Sequence, residues 1–153
     1  MKYYFLLLLL PVIALTSCSK PPQFSASKQA AIDDANIRAY IANHNIVAKD
    51  TLGVYYQIVS PGTGPHPSAN STVQVTYTGQ LLDGTVFAPV GSNASASLNS
   101  FIAGWQIGIP LIAQGGEIIL LIPSGLAYGQ SSPGYPITDN AVLIFDIHLA
   151  SFQ

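Results

Sequence analysis

The chain has 153 residues, 8% of them charged and 49% hydrophobic, with a formal net charge of −2, whereas soluble domains usually carry about 25% charged residues. Its five bases (Lys2, Lys20, Lys28, Arg38 and Lys49) all precede Thr51, and the remainder holds four acids (Asp83, Glu117, Asp139 and Asp146) with no Lys or Arg. Phosphate recognition needs such cations, which excludes nucleic-acid binding and phosphoryl chemistry there; a segment this apolar also buries enough surface to offset its ordering entropy, which excludes disorder.

Lys2 is followed by thirteen mostly apolar residues, Tyr3 to Leu15. The run is shorter than the roughly 20 residues that cross a bilayer as a helix, and it fits the apolar region of a secretory signal. It ends Leu15-Thr16-Ser17-Cys18, which is similar to a bacterial lipobox, where the signal is cut before Cys and that Cys takes a lipid. Cys18 is the single cysteine of the chain. Residues 1–17 are therefore expected to be a lipoprotein signal and Cys18 the lipidated position, with the protein held at the bacterial cell envelope on the inner or the outer membrane. Residues 18–27, rich in Pro and Ser, read as a tether.

An N-terminal helical unit is expected over 28–50, with helical spacing clearest over about 27–45. Ile32, Ala35, Ala39, Ala42 and Ile46 recur at intervals of three and four. Asp33 and Asp34 are expected near its N-terminus, where the helix dipole favours acids. A seam made mostly of alanine suits docking or spacing better than a dimer interface.

From Gly53 the period becomes two. Val54 to Val59 reads as a strand and 61–67 as a loop dense in turn formers. Val73, Val75 and Tyr77 alternate onto one face of the next strand, and Asp83-Gly84 turns the chain back through Val86-Phe87. The Ser/Ala/Asn-rich stretch from Gly91 to Ser100 reads as a surface loop. A short helix around Phe101 to Gly108 is limited by Pro110. Ile118 to Ile122 is an unbroken apolar strand suited to burial on both faces. In the last strand Leu143, Phe145, Ile147 and Leu149 share one side. The fold class is α+β, an antiparallel sheet folded over one short helix.

The common catalytic arrangements are missing from this pattern. His44, His66 and His148 fall in unrelated elements without metal-ligand spacing, no Gly-x-Ser-x-Gly elbow occurs, and the four acids do not pair. The notable feature is aromatic: Tyr77, Phe87, Trp105, Tyr128 and Phe145 come from five different elements. Periodicity alone assigns such residues to the core.

Their surroundings say more. Thr76-Tyr77-Thr78-Gly79, Leu82-Asp83-Gly84-Thr85-x-Phe87, Phe101-Ile102-x-Gly104-Trp105-x-x-Gly108, Ile122-Pro123-x-x-Leu126-Ala127-Tyr128-Gly129 and Leu143-x-Phe145-Asp146 follow one another in order. Over about 51–153 this set resembles the FKBP-type peptidyl-prolyl isomerases. The resemblance implies an FKBP-like antiparallel half-barrel wrapped over the short helix and preceded by a short N-terminal helix. It implies a catalytic wall of Tyr77, Phe87, Trp105, Tyr128 and Phe145, with Trp105 as floor. Phe101, Ile102, Ile137 and the position of Ala88 would contact substrate, the Tyr128 hydroxyl and the Ile137 backbone N–H pointing at its carbonyl oxygens. No cofactor or metal is implied. The expected partners are Pro-containing segments of unfolded or folding envelope proteins, the membrane through a lipid on Cys18, and a macrolide inhibitor. Two departures from the family pattern stand out. Ala88 stands where an Asp usually follows Phe87, and Ala96 and Ser97 stand where another aromatic is common. The first removes a polar group and the second opens the wall, so the resemblance carries two readings: an isomerase, or a weakly active or inactive binding module and chaperone for Pro-containing or apolar segments.

Overall fold

The computed structural model describes residues 23–153; the expected signal 1–17, Cys18 and the first half of the tether, up to residue 22, lie outside the described residues. Helix α1 spans Ala26–Asn43. Six strands follow, β1 Lys49–Thr51, β2 Val54–Ser60, β3 Thr72–Leu81, β4 Val86–Ser97, β5 Glu117–Ile122 and β6 Leu143–Phe152, with the short helix α2 at Ala103–Gly108 between β4 and β5. They form one open sheet in the order β1-β2-β5-β6-β3-β4, antiparallel at every pairing. The expected α+β class is the one observed.

The sheet is covered on both faces, which accounts for the character of β5. Ile118, Leu120 and Ile122 face the main core beneath α2, whereas Leu121 joins Ile37 of α1, Tyr55, Val142 and Ile144 in a second cluster on the opposite face. On β6, Leu143, Phe145, Ile147 and Leu149 alternate into the main core and are all buried. Helix α2 lies close against β5 because glycines face it. A Cβ on Gly108 would fall 2.5 Å from Leu120 Cδ1, and one on Gly104 would overlap the Ile122 side chain.

Three expectations are corrected. The helical unit expected over 28–50 ends at Asn43, and Lys49–Thr51 is a strand instead, paired residue for residue with Thr51↔Val54 at its turn. Left-handed Asn45 at φ 53° and Leu52 at φ 50° break the helix and shape that turn. The stretch from Gly91 is no surface loop: β4 runs on to Ser97, opposite Thr72 of β3. Ser, Asn and Ala are weak strand formers, but backbone pairing to a long neighbour holds them.

The third correction concerns the face of α1. Ile32, Ala35, Ala39 and Ala42 are exposed, and the buried residues are Asp33 and Ile37, flanked by half-buried Tyr40 and Ile41. Alanine offers little area to bury, so one fully buried Ile37, worth about 1.5–3 kcal/mol, outweighs the Ala stripe. Nor do Asp33 and Asp34 sit in the first turn. The N-cap is Ser25, whose Oγ accepts from Lys28 N at 3.4 Å. The two acids work by direct bonds: Asp33 Oδ2 accepts from Ser124 N at 2.9 Å and from Ser124 Oγ at 2.6 Å, and Asp34 accepts from the Tyr55 hydroxyl and from Arg38 Nε, the latter at 2.9 Å.

Candidate functional site

A cavity of about 390 Å³ opens between α2 and the concave face of the sheet. Its lining comes from several elements: Tyr77 from β3, Phe87 and Ala88 from β4, Phe101, Ile102 and Trp105 from the approach to α2 and α2 itself, and Phe145 from β6. Tyr128 and Ile137 close it from the segment between β5 and β6. All nine pocket positions named from the sequence thus border one space. Two further lining residues, Ala94 and Ser100, were missed because that segment reads as a loop. The alternation Ala94-x-Ala96-x-Leu98 was the available signal, since a period of two marks a strand. Ala96 and Ser97, expected to open the wall, are not among the lining residues; small Ala94 occupies the wall instead.

Trp105 is the hub of this space. Its ring meets Tyr77 edge-on at 5.1 Å and Phe145 edge-on at 5.2 Å, and lies 4.9 Å from Phe101. Phe87 in turn meets Phe145 at 5.5 Å. Edge-to-face pairs of this kind hold rings in fixed orientations and add about 0.5–1.5 kcal/mol beyond their burial. Trp105 is 4% exposed and Phe145 4%, so the rings form the depth of the cavity. The Trp105 Nε1 is buried without an acceptor among the described residues.

Local sequence puts each group in place. Gly79 pairs with Phe145 on one side and Ala88 on the other, and a Cβ there would enter the Phe87 ring. Absence of a side chain at 79 is what lets Phe87 fold over the sheet. The hairpin that returns the chain to Phe87 is closed by Leu81 N to Thr85 O at 2.9 Å and by Asp83 Oδ1 accepting from Thr85 N at 2.9 Å. That bond is the chief cause of the lowered Asp83 pKa. Gly84 supplies the left-handed residue the turn needs, at φ 85°.

Tyr128 sits in a turn built on one residue. The Ser124 carbonyl accepts from Ala127 N at 3.0 Å and from Gly129 N at 2.9 Å, on either side of Tyr128. The side chain itself is 39% exposed, so it lies at the mouth. Gly129 O accepts from Asn140 N at 2.6 Å, and within the loop so closed Ser132 Oγ donates to Ile137 O while Asp139 Oδ1 accepts from Ser132 N at 3.1 Å.

Among the described residues no charged side chain lines the cavity. The nearest perturbed acid in sequence, Asp146, points away from Phe145 into the opposite face beside Tyr40 and Thr78, where burial and then repulsion from Glu117 raise its pKa. The site therefore presents aromatic walls and three hydroxyl-bearing side chains, Tyr77, Ser100 and Tyr128. It can exclude water and hold an apolar ring, and it has no side chain suited to proton abstraction or nucleophilic attack.

Residues 64–150 match the family model described as FKBP-type peptidyl-prolyl cis-trans isomerase. The chain is 39% identical over 131 residues to a protein of Legionella longbeachae named outer membrane protein MIP, covering 84% of this chain and 56% of that one. It is 37% identical over 134 residues to the FKBP-type peptidyl-prolyl cis-trans isomerase FkpA of Escherichia coli K12, covering 83% and 49%. The chain spans about half the length of these curated relatives. Among solved structures it is similar to the peptidyl-prolyl cis-trans isomerase of Pseudomonas syringae pv. tomato, with a TM-score of 0.71, 28% identity and coverage of 86% of this chain and 98% of that one. FkpA from Escherichia coli gives a TM-score of 0.69 at 34% identity, covering 83% and 62%.

Proposed function

The chain belongs to the FKBP-type peptidyl-prolyl cis-trans isomerases, and from that premise we propose that it catalyses cis-trans isomerisation of X-Pro bonds in proteins folding in the bacterial cell envelope. The observation that carries this is the single uncharged cavity in which Tyr77, Phe87, Trp105, Tyr128 and Phe145 converge.

Rotation about a peptide bond costs about 18–20 kcal/mol because the amide nitrogen shares its lone pair with the carbonyl. Water stabilises the charge-separated planar form by hydrogen bonding to that carbonyl. When the prolyl ring enters a dry aromatic pocket, those bonds are lost, and the twisted amide, with less charge on oxygen, loses less than the planar one. Trp105, Tyr77 and Phe145 supply the dry depth. Phe101, Ile102 and Phe87 flank the ring. The Tyr128 hydroxyl and the Ile137 backbone N–H hold the substrate carbonyl oxygens that keep their charge, fixing the backbone on either side of the rotating bond. No proton leaves a side chain and no covalent intermediate forms, which agrees with an uncharged lining.

A protease-coupled assay with Leu-Pro and Phe-Pro peptides tests this. Catalysed isomerisation that falls with Trp105→Ala and Tyr128→Phe is the expected result; rates equal to buffer would end the enzymatic reading. Ala88 favours a second reading. It is 7% exposed and lines the cavity where the family usually has an acid. In this reading the pocket binds Pro-containing or apolar segments without turning them over, and peptide titration followed by Trp105 fluorescence shows binding where the coupled assay shows no rate. The same titration reports a macrolide inhibitor.

We place the protein at the envelope through a lipid on Cys18, the only cysteine of the chain. One relative carries outer membrane in its name, which supports the compartment. Cys18→Ala is expected to move the protein from the membrane fraction to the soluble one, and a variant that remained membrane-bound would refute the anchor.

A further inference from the structure

Asp33 is a carboxylate 1% exposed on a helix that contributes nothing to the cavity lining. Burying such a group is costly unless its oxygens are bonded, and here they are. Oδ1 accepts from Gln29 Nε2 at 2.8 Å, one turn earlier on α1, and Oδ2 accepts both the backbone N–H and the hydroxyl of Ser124. Ser124 is itself 1% exposed and is the residue whose carbonyl receives Ala127 N and Gly129 N on either side of Tyr128. Hydrogen bonds therefore run unbroken from the helix to the turn that bears the pocket hydroxyl, across 91 positions of sequence.

The helix end of this chain of bonds is rigid. Ile37, fully buried, packs in the cluster with Tyr55, Leu121, Val142 and Ile144, and Asp34 is held by Arg38 and by Tyr55 of β2. The turn end is also held by half-buried Leu126 and Ala127 against the main core and by Asn140 N donating to Gly129 O at 2.6 Å. A Cβ added at Gly125 would meet nothing within 4 Å, and the Tyr128 side chain is over a third exposed. Within 123–129 only Ser124 is buried, so the turn takes its position largely from that residue.

We infer that Asp33 is a positioning residue for the pocket: by fixing Ser124 it sets where the Tyr128 hydroxyl lies relative to the substrate, so that α1 is part of the working site as well as a cover for the sheet. This rests on the prolyl-pocket reading above. Displacement of a substrate-holding group by about 1 Å can cost up to a hundredfold in rate, which is the scale of effect expected.

The test uses the full chain. Asp33→Leu, Asp33→Asn and Ser124→Ala are made alone and each combined with Tyr128→Phe; kcat/KM is read in the coupled assay and folding by thermal melting. Asp33→Leu is expected to lower kcat/KM by roughly tenfold to a hundredfold and Ser124→Ala to lower it less, in the same direction. Asp33→Asn, whose amide oxygen can still accept both Ser124 bonds, restores most of the rate. In the Tyr128→Phe background the Asp33→Leu loss should largely vanish, because a residue that acts through Tyr128 has nothing left to position. A folded Asp33→Leu protein with the wild-type rate would overturn the proposal. So would a loss that carries over in full, within about twofold, onto Tyr128→Phe, since that marks a contribution to stability alone. If Asp33→Leu does not fold, the Ser124→Ala and Tyr128→Phe cycle decides by the same criterion. A wild-type protein without turnover would refute the isomerase reading only, and the same cycle read as peptide affinity by Trp105 fluorescence would then decide the role of Asp33.

Discussion

Ala88 lines the cavity opposite Gly79, and a carboxylate there could bond the pocket hydroxyl or the substrate backbone. A hydrogen bond to a charged group is worth about 1.5–3 kcal/mol, or roughly tenfold to a hundredfold in rate if it forms only in the transition state. Ala88→Asp is therefore expected to raise kcat/KM by about tenfold in the coupled assay; binding that persists with no turnover would favour the chaperone reading. A second single-residue effect lies on the other face of the sheet. Burial and then Glu117 raise the Asp146 pKa, so the folded state holds a proton there more tightly than the unfolded chain does, and stability falls as pH rises through the raised value. Asp146→Asn should raise Tm at pH 7, and the gain should disappear as the pH drops below the usual carboxylate range. Neither position announces its environment locally: Asp146 is simply the polar step of an alternating strand until the β5–β6 register sets Glu117 opposite His148, diagonal to it.

At the scale of elements, the two helices hold the sheet by different means. Helix α2 approaches β5 through Gly104 and Gly108, so Gly108→Ala should force the strand and helix apart and destabilise the fold by about 1–3 kcal/mol, the usual cost of overpacking, visible as a lower urea midpoint. Helix α1 docks through Ile37, Asp33 and Asp34, and its polar contacts include the Tyr55 hydroxyl, whose pKa is pushed up to about 12 by burial and the bond to Asp34. That bond is kept while Tyr55 stays protonated, and the stability it adds is lost as pH rises from the ordinary tyrosine value near 10 through about 12. Tyr55→Phe should abolish that alkaline step in a stability profile. Strands were legible because Val73, Val75 and Tyr77 or Leu143 to Leu149 alternate without interruption. Strand β4 beyond Gly91 was not, because its small polar residues carry no preference of their own and the pairing with β3 supplies the order.

For the whole molecule, the lack of any Lys or Arg after Lys49 matches a cavity without a charged lining residue. Turnover of a neutral Pro-containing peptide should then vary less than about twofold as salt rises from about 0.05 to about 1 M, since screening acts only on charges; a steep dependence would point to a charged subsite. By itself the sequence determined the fold class, the order of strands β2 to β6 along the chain and the identity of the aromatic cluster, because alternation, turn residues and linked motifs are short-range signals. Through the family resemblance that its five motifs carry, it also named Tyr77, Phe87, Trp105, Tyr128, Ile137 and Phe145 as neighbours. Tertiary structure alone decided which face of α1 is buried, that β4 continues to Ser97, and that Ala94 rather than Ala96 forms the wall. It alone joined Asp33 to Ser124. A hydrogen bond between residues 91 apart leaves no period and no composition bias in the chain; it exists only because packing of Ile37 against the sheet brings that carboxylate to the turn.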